Sequence, residues 1–211
     1  MLMNVPRGPL LIVEDAQDTL TLLKATLEFK GYRVITARDG MEALDAVQKE
    51  RPAIIITDIL MPKMDGFSLV QRLRINIETR NIPVIFLSAT YVSPEDKQFA
   101  MTLGATRFIE KPANTDDFLR TIAELFSKGV PEGPEPLDER EFFEGYRKRL
   151  EIKLQHKVTQ ITRTNHLLET LPEEEKPSFK AALRQAISER DEIEQELDQI
   201  RNFIKKNSPP K

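Results

Sequence analysis

Short apolar runs alternate with amphipathic stretches through the first 127 residues, and that alternation leaves few folds open. The runs are Leu10–Val13, Val34–Ile35, Ala53–Ile56, Val84–Leu87 and Arg107–Ile109. Between them, apolar residues recur at helical spacing: Leu20, Leu23 and Leu27; Ala43, Leu44 and Val47; Leu69 and Leu73; Phe99, Ala100 and Leu103; then Phe118, Ile122, Leu125 and Phe126. Strands separated by helices of this length read as repeated βαβ units, which build an α/β domain around a parallel sheet. The runs IIIT and VIFL are almost wholly apolar, as expected of central strands covered on both faces.

The punctuation agrees. Gly31 and Gly104 follow helical patterns, where a left-handed C-terminal cap is expected. Ser93-Pro94-Glu95-Asp96 reads as a helix start, with serine as cap, proline in the first position and acids in the first turn. Thr115-Asp116-Asp117 opens the last helix of this half in the same manner.

Polar residues sit where the apolar runs end. Glu14 and Asp15 follow the first run, Asp58 the third, Ser88 the fourth and Lys111 the fifth. The carboxyl ends of strands in an open parallel sheet converge on one crevice, where such folds bind ligands. Residues far apart in sequence would gather there as an acidic pocket with a hydroxyl and an ammonium on its rim. That combination suits a divalent cation and transfer of a phosphoryl group onto a carboxylate.

Taken in order at strand ends, these motifs are specific. LIVED carries Glu14 and Asp15, IIITDILMPKMDG carries Asp58 and Pro62, FLSA carries Ser88, and FIEKP carries Phe108, Lys111 and Pro112. Residues 9–127 resemble a response-regulator receiver domain, the phospho-accepting half of two-component signalling. The resemblance implies a flavodoxin-like, doubly wound sheet of strand order 2-1-3-4-5. It implies Asp58 as phosphoacceptor, a sensor histidine kinase as donor and Mg2+ as cofactor. Asp15 and Asp58 would be direct metal ligands, the Leu60 backbone carbonyl a third, and Glu14 would act through a bound water. Magnesium suits such a set, because it takes oxygen ligands, few carboxylates and several waters. Lys111 would pair with the acceptor carboxylate and then with a phosphoryl oxygen, and Pro112 would follow a cis peptide bond. Ser88 would donate its hydroxyl to the phosphoryl group, the loop Ala89–Val92 would follow it, and Phe108 would turn inward.

Two features depart from common members of that family. Phe108 stands where a tyrosine is often found, which removes a hydroxyl and keeps the ring. Leu60 and Thr90 occupy positions that influence hydrolysis of the acyl phosphate. An apolar Leu60 offers no polar group to orient attacking water, so slow dephosphorylation is expected.

A Pro/Gly-rich segment, KGVPEGPEP over 128–136, reads as a linker. Beyond it, residues 137–206 lose strand signal and gain Glu, Lys, Arg, Gln and Leu. One stripe runs Phe143, Tyr146, Leu150, Leu154, Val158, Ile161, Asn165 and Leu168. After a break at Leu171-Pro172 and Pro177, another runs Phe179, Leu183, Ala186, Arg190, Ile193, Leu197, Ile200 and Ile204. The steps average close to the coiled-coil repeat, so an all-α antiparallel hairpin is expected, with residues 207–211 as a disordered tail. Neither helix can bury its stripe alone, so the two must pack on each other, on a second copy or on a partner; homodimerisation and an unknown downstream protein are the partners expected.

Composition narrows the alternatives. The chain has no cysteine, which excludes disulfides, thiol catalysis and cysteine-based metal sites. Residues 137–211 hold 15 Lys and Arg against 15 Asp and Glu, a balance that argues against DNA binding. No window is apolar enough for a membrane span, and MLMNVPRGP is too short and proline-broken for a signal h-region; a cytoplasmic protein is expected. A second reading makes the hairpin a four-helix-bundle phosphotransfer module using His156 or His166. A third is a metal-dependent phosphohydrolase working through an aspartyl-phosphate. Those enzymes usually carry the nucleophile on strand one with a second Asp two residues on, whereas strand one here ends in Glu14-Asp15-Ala16-Gln17. Beyond its own phosphorylation and dephosphorylation, no enzymatic activity is expected.

Overall fold

A computed structural model describes residues 8–89, 92–128 and 134–207. They fall into two compact units, which meet in sequence between Leu137 and Asp138. Among these residues no helix is long and apolar enough to cross a membrane.

The first unit is a parallel sheet of five strands in the order β2-β1-β3-β4-β5. Its elements are β1 (Leu10–Val13), α1 (Gln17–Phe29), β2 (Val34–Ala37), α2 (Gly40–Lys49), β3 (Ile54–Thr57), α3 (Gly66–Ile75), β4 (Val84–Ser88), α4 (Pro94–Thr102), β5 (Arg107–Glu110) and α5 (Thr115–Lys128). Every residue of β1, β3 and β4 is buried, whereas β2 and β5 alternate or lie half open. That contrast follows from position: the apolar strands are central and covered on both faces, and the mixed ones are edges.

Side chains alternate across the sheet. Leu10, Ile12, Ile54, Ile56, Ile85 and Leu87 pack with Leu20 and Leu27 of α1 and with Phe118, Ile122 and Leu125 of α5. On the other face Phe86 meets Phe67 of α3 with ring centroids 5.3 Å apart, and Phe67 meets Phe99 of α4 at 5.2 Å.

The starts of α2, α3 and α4 are capped by the side chain at the N-cap position, whereas α1 begins after Ala16 with no side-chain cap. Asp39 caps α2, Asp65 caps α3 and Ser93 caps α4. Ahead of α5 the accepting group is Asn114 Oδ1, which takes the N–H of Asp116 and of Asp117. Gly31 and Gly104 have φ of +85° and +100° after α1 and α4, a conformation that costs glycine little. The described part of 134–137 is tied down, since Gln71 Nε2 on α3 donates to the Leu137 carbonyl at 2.7 Å. The rest of the expected linker, 129–133, and the tail 208–211 lie outside the described residues. Asn207, expected in the tail, ends the last helix.

The second unit is a pair of helices packed on each other, α6 (Glu139–Thr170) and α7 (Lys176–Asn207), each of 32 residues. Each is about 48 Å long at 1.5 Å per residue. Asp138 and Glu141 form a reciprocal capping box at the start of α6, a strong helix-start signal. Pro177 lies in the first turn of α7 rather than in the break, where its missing N–H costs nothing. The helices run antiparallel, since the α7 partner moves back from Glu196 and Arg201 to Glu189 as α6 advances from Tyr146 and Glu151 to Lys157.

The stripe on α7 is as expected, with Ala186, Leu197 and Ile200 at its buried centre. On α6 the stripe is displaced. Phe142, Tyr146 and Leu150 are buried, and Lys157, Ile161, Thr164 and Leu168 continue the covered face. Val158, expected inside, is 45% exposed, Asn165 is exposed, and Phe143 is only half-buried. The reason is Lys157. Its apolar stem covers the interface while its ammonium reaches Glu189 on α7, so lysine fills a position that a purely apolar count gives to its neighbour.

Candidate functional site

Main-chain hydrogen bonds fix the strand ends from which the polar residues project. Glu14 N–H donates to the Ala37 carbonyl (3.1 Å), Asp58 N–H to Val13 (2.9 Å) and Lys111 N–H to Ser88 (2.9 Å). Each residue is therefore held by the strand beside it. The Lys111–Pro112 bond is cis.

Four of the residues singled out from the sequence meet in one network. Lys111 Nζ lies 2.6 Å from Glu14 Oε2 and 2.6 Å from Asp58 Oδ2. Ser88 Oγ donates to Asp58 Oδ1 at 2.5 Å, and the Ile59 N–H donates to the same oxygen at 2.5 Å. Short separations of this kind are characteristic of bonds to an ionised group. The Asp58 side chain remains 14% exposed and Lys111 19%, whereas Glu14 is 3% exposed. Asp58 is thus open to a reactant, with its neighbours arranged behind it.

Burial raises the Glu14 carboxyl above its ordinary value, with the Asp58 charge adding to the rise and the Lys111 bond and charge opposing it. For Lys111, burial alone would lower the ammonium. Its bonds to Asp58 and Glu14 outweigh that and hold it above the usual lysine value. The ammonium therefore stays charged between two carboxylates.

The other expected residues are less enclosed. Asp15 is exposed, and Leu60 is 45% exposed on the turn after β3. Phe108 is half-buried on β5, its ring 6.2 Å from that of Phe86. Thr90 and Tyr91, in the loop expected to follow Ser88, lie outside the described residues. His156 and His166 are exposed on α6, and His166 Nδ1 is 3.3 Å from Glu169.

The donor set around Asp58 fits a hard divalent cation. The oxygens gathered there are the carboxylates of Asp58 and Glu14 and the hydroxyl of Ser88, without sulfur or imidazole, which suits Mg2+ better than zinc or copper. Two carboxylates, Glu14 and Asp58, share a single ammonium, Lys111, so negative charge remains to be balanced. Among the described residues no three acidic or histidine side chains form a ready-made metal cage. Magnesium does not need one, because it keeps several waters and uses one or two carboxylates.

One participant was not singled out from the sequence. Gly66, the first residue of α3, sends its N–H to the Ile59 carbonyl at 2.8 Å. A Cβ there would lie 2.2 Å from the Asp58 carbonyl oxygen and 3.1 Å from Ile59 Cα. Its only sequence signal is the Asp-Gly pair at a helix start, which reads as a cap and says nothing of proximity to Asp58.

Comparison with known proteins agrees with this geometry. Residues 10–123 match the family model described as response regulator receiver domain. The chain is similar to the polar-differentiation response regulator DivK of Brucella anthropi, at 33% identity over 53% of this chain and 90% of that one. Among solved structures it is similar to the chemotaxis response regulator CheY4 of Vibrio cholerae, with 36% identity and a TM-score of 0.52 over 56% of this chain and 98% of that one. It is also similar to the signal receiver domain of a signal transduction histidine kinase from Syntrophus aciditrophicus, with 35% identity, a TM-score of 0.54, and coverage of 62% and 98%. Of several longer curated regulators it spans only about half, between 42% and 54% of their length. With more than half of its residues matched to that one model, and with the strand order β2-β1-β3-β4-β5, the chain belongs to the response regulator receiver domain family.

Proposed function

We propose that the chain is a phosphorelay response regulator that accepts a phosphoryl group on Asp58 from a sensor histidine kinase. Residues 1–127 act as the receiver, 128–136 as a linker and 137–206 as a helical output. The observation that carries this reading is the Asp58 carboxylate, partly exposed and held by Lys111 at one oxygen and by Ser88 at the other. A carboxylate with an ammonium and a hydroxyl beside it is prepared to become an acyl phosphate.

In the transfer, an Asp58 oxygen attacks the phosphorus carried by the kinase histidine. The new P–O bond forms as the P–N bond breaks, and the electron pair leaves with the imidazole. Lys111 passes from the free carboxylate to a phosphoryl oxygen and offsets the added charge. Ser88 turns its hydroxyl from Asp58 Oδ1 to the phosphoryl group, and Phe108 moves inward behind it. Magnesium held by Asp15, Asp58 and the Leu60 carbonyl, with Glu14 acting through a water, would neutralise repulsion between an anionic donor and an anionic acceptor. The apolar side chain of Leu60 leaves attacking water without a partner, which favours a long-lived phosphorylated state.

The output acts through protein contacts, with homodimerisation and binding of a downstream protein as its modes. Phosphorylation biases a two-state receiver surface, and the hairpin carries the consequence. The test is mass spectrometry of the full chain after incubation with a small phosphodonor and Mg2+. One added phosphoryl group is expected, and none in Asp58→Asn. Undiminished labelling of Asp58→Asn would sink the assignment.

A further inference from the structure

The turn between β3 and α3 holds an unusual residue. Lys63 has φ of +62°, the one non-glycine residue with positive φ among those described. Side-chain-bearing residues persist in that region only when their surroundings hold them there. Here the surroundings are the start of α2. Lys63 Nζ lies 2.7 Å from Asp39 Oδ2, and the Asp39 side chain is 1% exposed. The other Asp39 oxygen accepts the N–H groups of Met41 and Glu42, both at 2.9 Å. Next to the ion pair, Gly40 N–H donates to the Met64 carbonyl at 2.9 Å.

The tethered turn is the one that carries the site. It runs from Asp58 through Leu60 to Gly66, whose N–H closes it on the Ile59 carbonyl at 2.8 Å. Two links, one ionic and one main-chain, therefore fasten the far side of this turn to a helix that contributes nothing else to the pocket. The ammonium is largely in water, where solvent screens the pair and keeps its contribution to global stability small. Its consequence is local: it fixes one conformation of seven residues beside Asp58.

We propose that Lys63 is a positioning residue for the acidic pocket, its ion pair with Asp39 holding the turn whose Leu60 carbonyl and Asp58 carboxylate receive the cation. This rests on the reading of Asp15, Asp58 and the Leu60 carbonyl as a magnesium site. Groups that orient metal ligands commonly alter affinity by about 10-fold or more when removed, and the same order is expected here.

The test uses the full chain, Lys63→Met and Lys63→Arg. Mg2+ affinity is read by calorimetry, thermal unfolding is followed without metal, and amide exchange is measured at Gly40 and Gly66. Lys63→Met should bind Mg2+ about 10-fold more weakly, exchange faster at both amides and melt close to wild type. Lys63→Arg, which keeps the cation, should stay near wild type in all three. Unchanged affinity in Lys63→Met overturns the proposal, whether or not its melting point falls. Equal losses in Lys63→Arg and Lys63→Met also overturn it, because the charge would not be the cause. If wild type itself binds no Mg2+, both the magnesium site and the role of Lys63 fall. If wild type binds and Lys63→Met binds equally, only the latter does.

Discussion

Lys111 Nζ and Asp58 Oδ2 lie 2.6 Å apart across the ends of β5 and β3, and the same ammonium is 2.6 Å from Glu14. One cation thus serves two carboxylates, one nearly fully buried and one partly open. Replacing it separates two effects that usually move together. Lys111→Met should bind Mg2+ more tightly, because a competing positive charge leaves the pocket. It should nonetheless accept a phosphoryl group about 100-fold more slowly, the order lost when a charge-stabilising donor is removed from a reacting centre. Calorimetry and phosphodonor labelling on one preparation check both. Weaker Mg2+ binding together with normal labelling would contradict the assigned role.

Gly66 gives a steric counterpart. A methyl group at this position would overlap the Asp58 carbonyl oxygen, and neither α3 nor β3 is free to yield, since Leu69 and Ile56 at their cores are 0% and 1% exposed. Gly66→Ala should cost about 1–3 kcal/mol, as overpacking commonly does. It should also lower phosphodonor labelling, because relief of the overlap must displace Asp58. Denaturant titration and labelling of the same variant test this, and a loss of stability with full labelling would show that Asp58 does not move.

Asp39 supplies the pH dependence. Burial would raise its carboxyl, but the Lys63 bond and the N–H groups of Glu42 and Met41 together hold it below the ordinary aspartate value. A depressed carboxyl contributes stability that is fully present above its unfolded-state value and is lost as pH falls through the folded one. Wild type should therefore exceed Asp39→Asn in stability near neutrality. The gap should close as pH falls from the ordinary aspartate value downward. Melting curves across that range measure it, and a gap independent of pH would remove the ion pair from the account.

On the proposed reading, Leu60 governs the lifetime of the phosphorylated state. Its side chain is 45% exposed beside the acceptor and carries no group to orient water. The acyl phosphate of wild type should decay over minutes or longer with Mg2+ present, and Leu60→Asn should shorten its life several-fold. Loss of label after removal of the phosphodonor gives both rates directly. Decay of wild type within seconds would show that some other group orients the water.

How much of this was legible in the sequence depends on the range over which each feature is determined. IIIT and VIFL could be read as central strands because burial on both faces leaves its mark on every residue. The gathering of Glu14, Asp58, Ser88 and Lys111 could be read too, because parallel topology alone brings strand ends together. Gly66 against Asp58, and Lys63 against Asp39, could not. Each depends on how a turn folds back onto a neighbouring helix, and neither leaves a period in the sequence. The α6 stripe was misplaced at Phe143, Val158 and Asn165 for a related reason: an apolar count has no way to score the stem of Lys157, whose covering role depends on Glu189 on the facing helix.

That pair also directs the test of the output. Glu189 is held below the ordinary glutamate value by the Lys157 bond foremost, while Leu197 is 0% exposed at the buried end of the same interface. Leu197→Ala should cost about 2–5 kcal/mol by leaving a cavity, and the loss should be confined to the hairpin, since the receiver has its own core on α1 and α5. Phosphodonor labelling should survive this change. Light scattering of wild type with and without beryllofluoride and Mg2+ then assigns the role of the hairpin. A dimer in both conditions that Leu197→Ala dissolves makes the hairpin a standing dimeriser, with switching by rearrangement inside the dimer. A dimer seen only with the phosphoryl mimic, and kept by Leu197→Ala, makes the receiver the driver. A monomer in both removes homodimerisation and leaves the downstream protein as the partner of the hairpin.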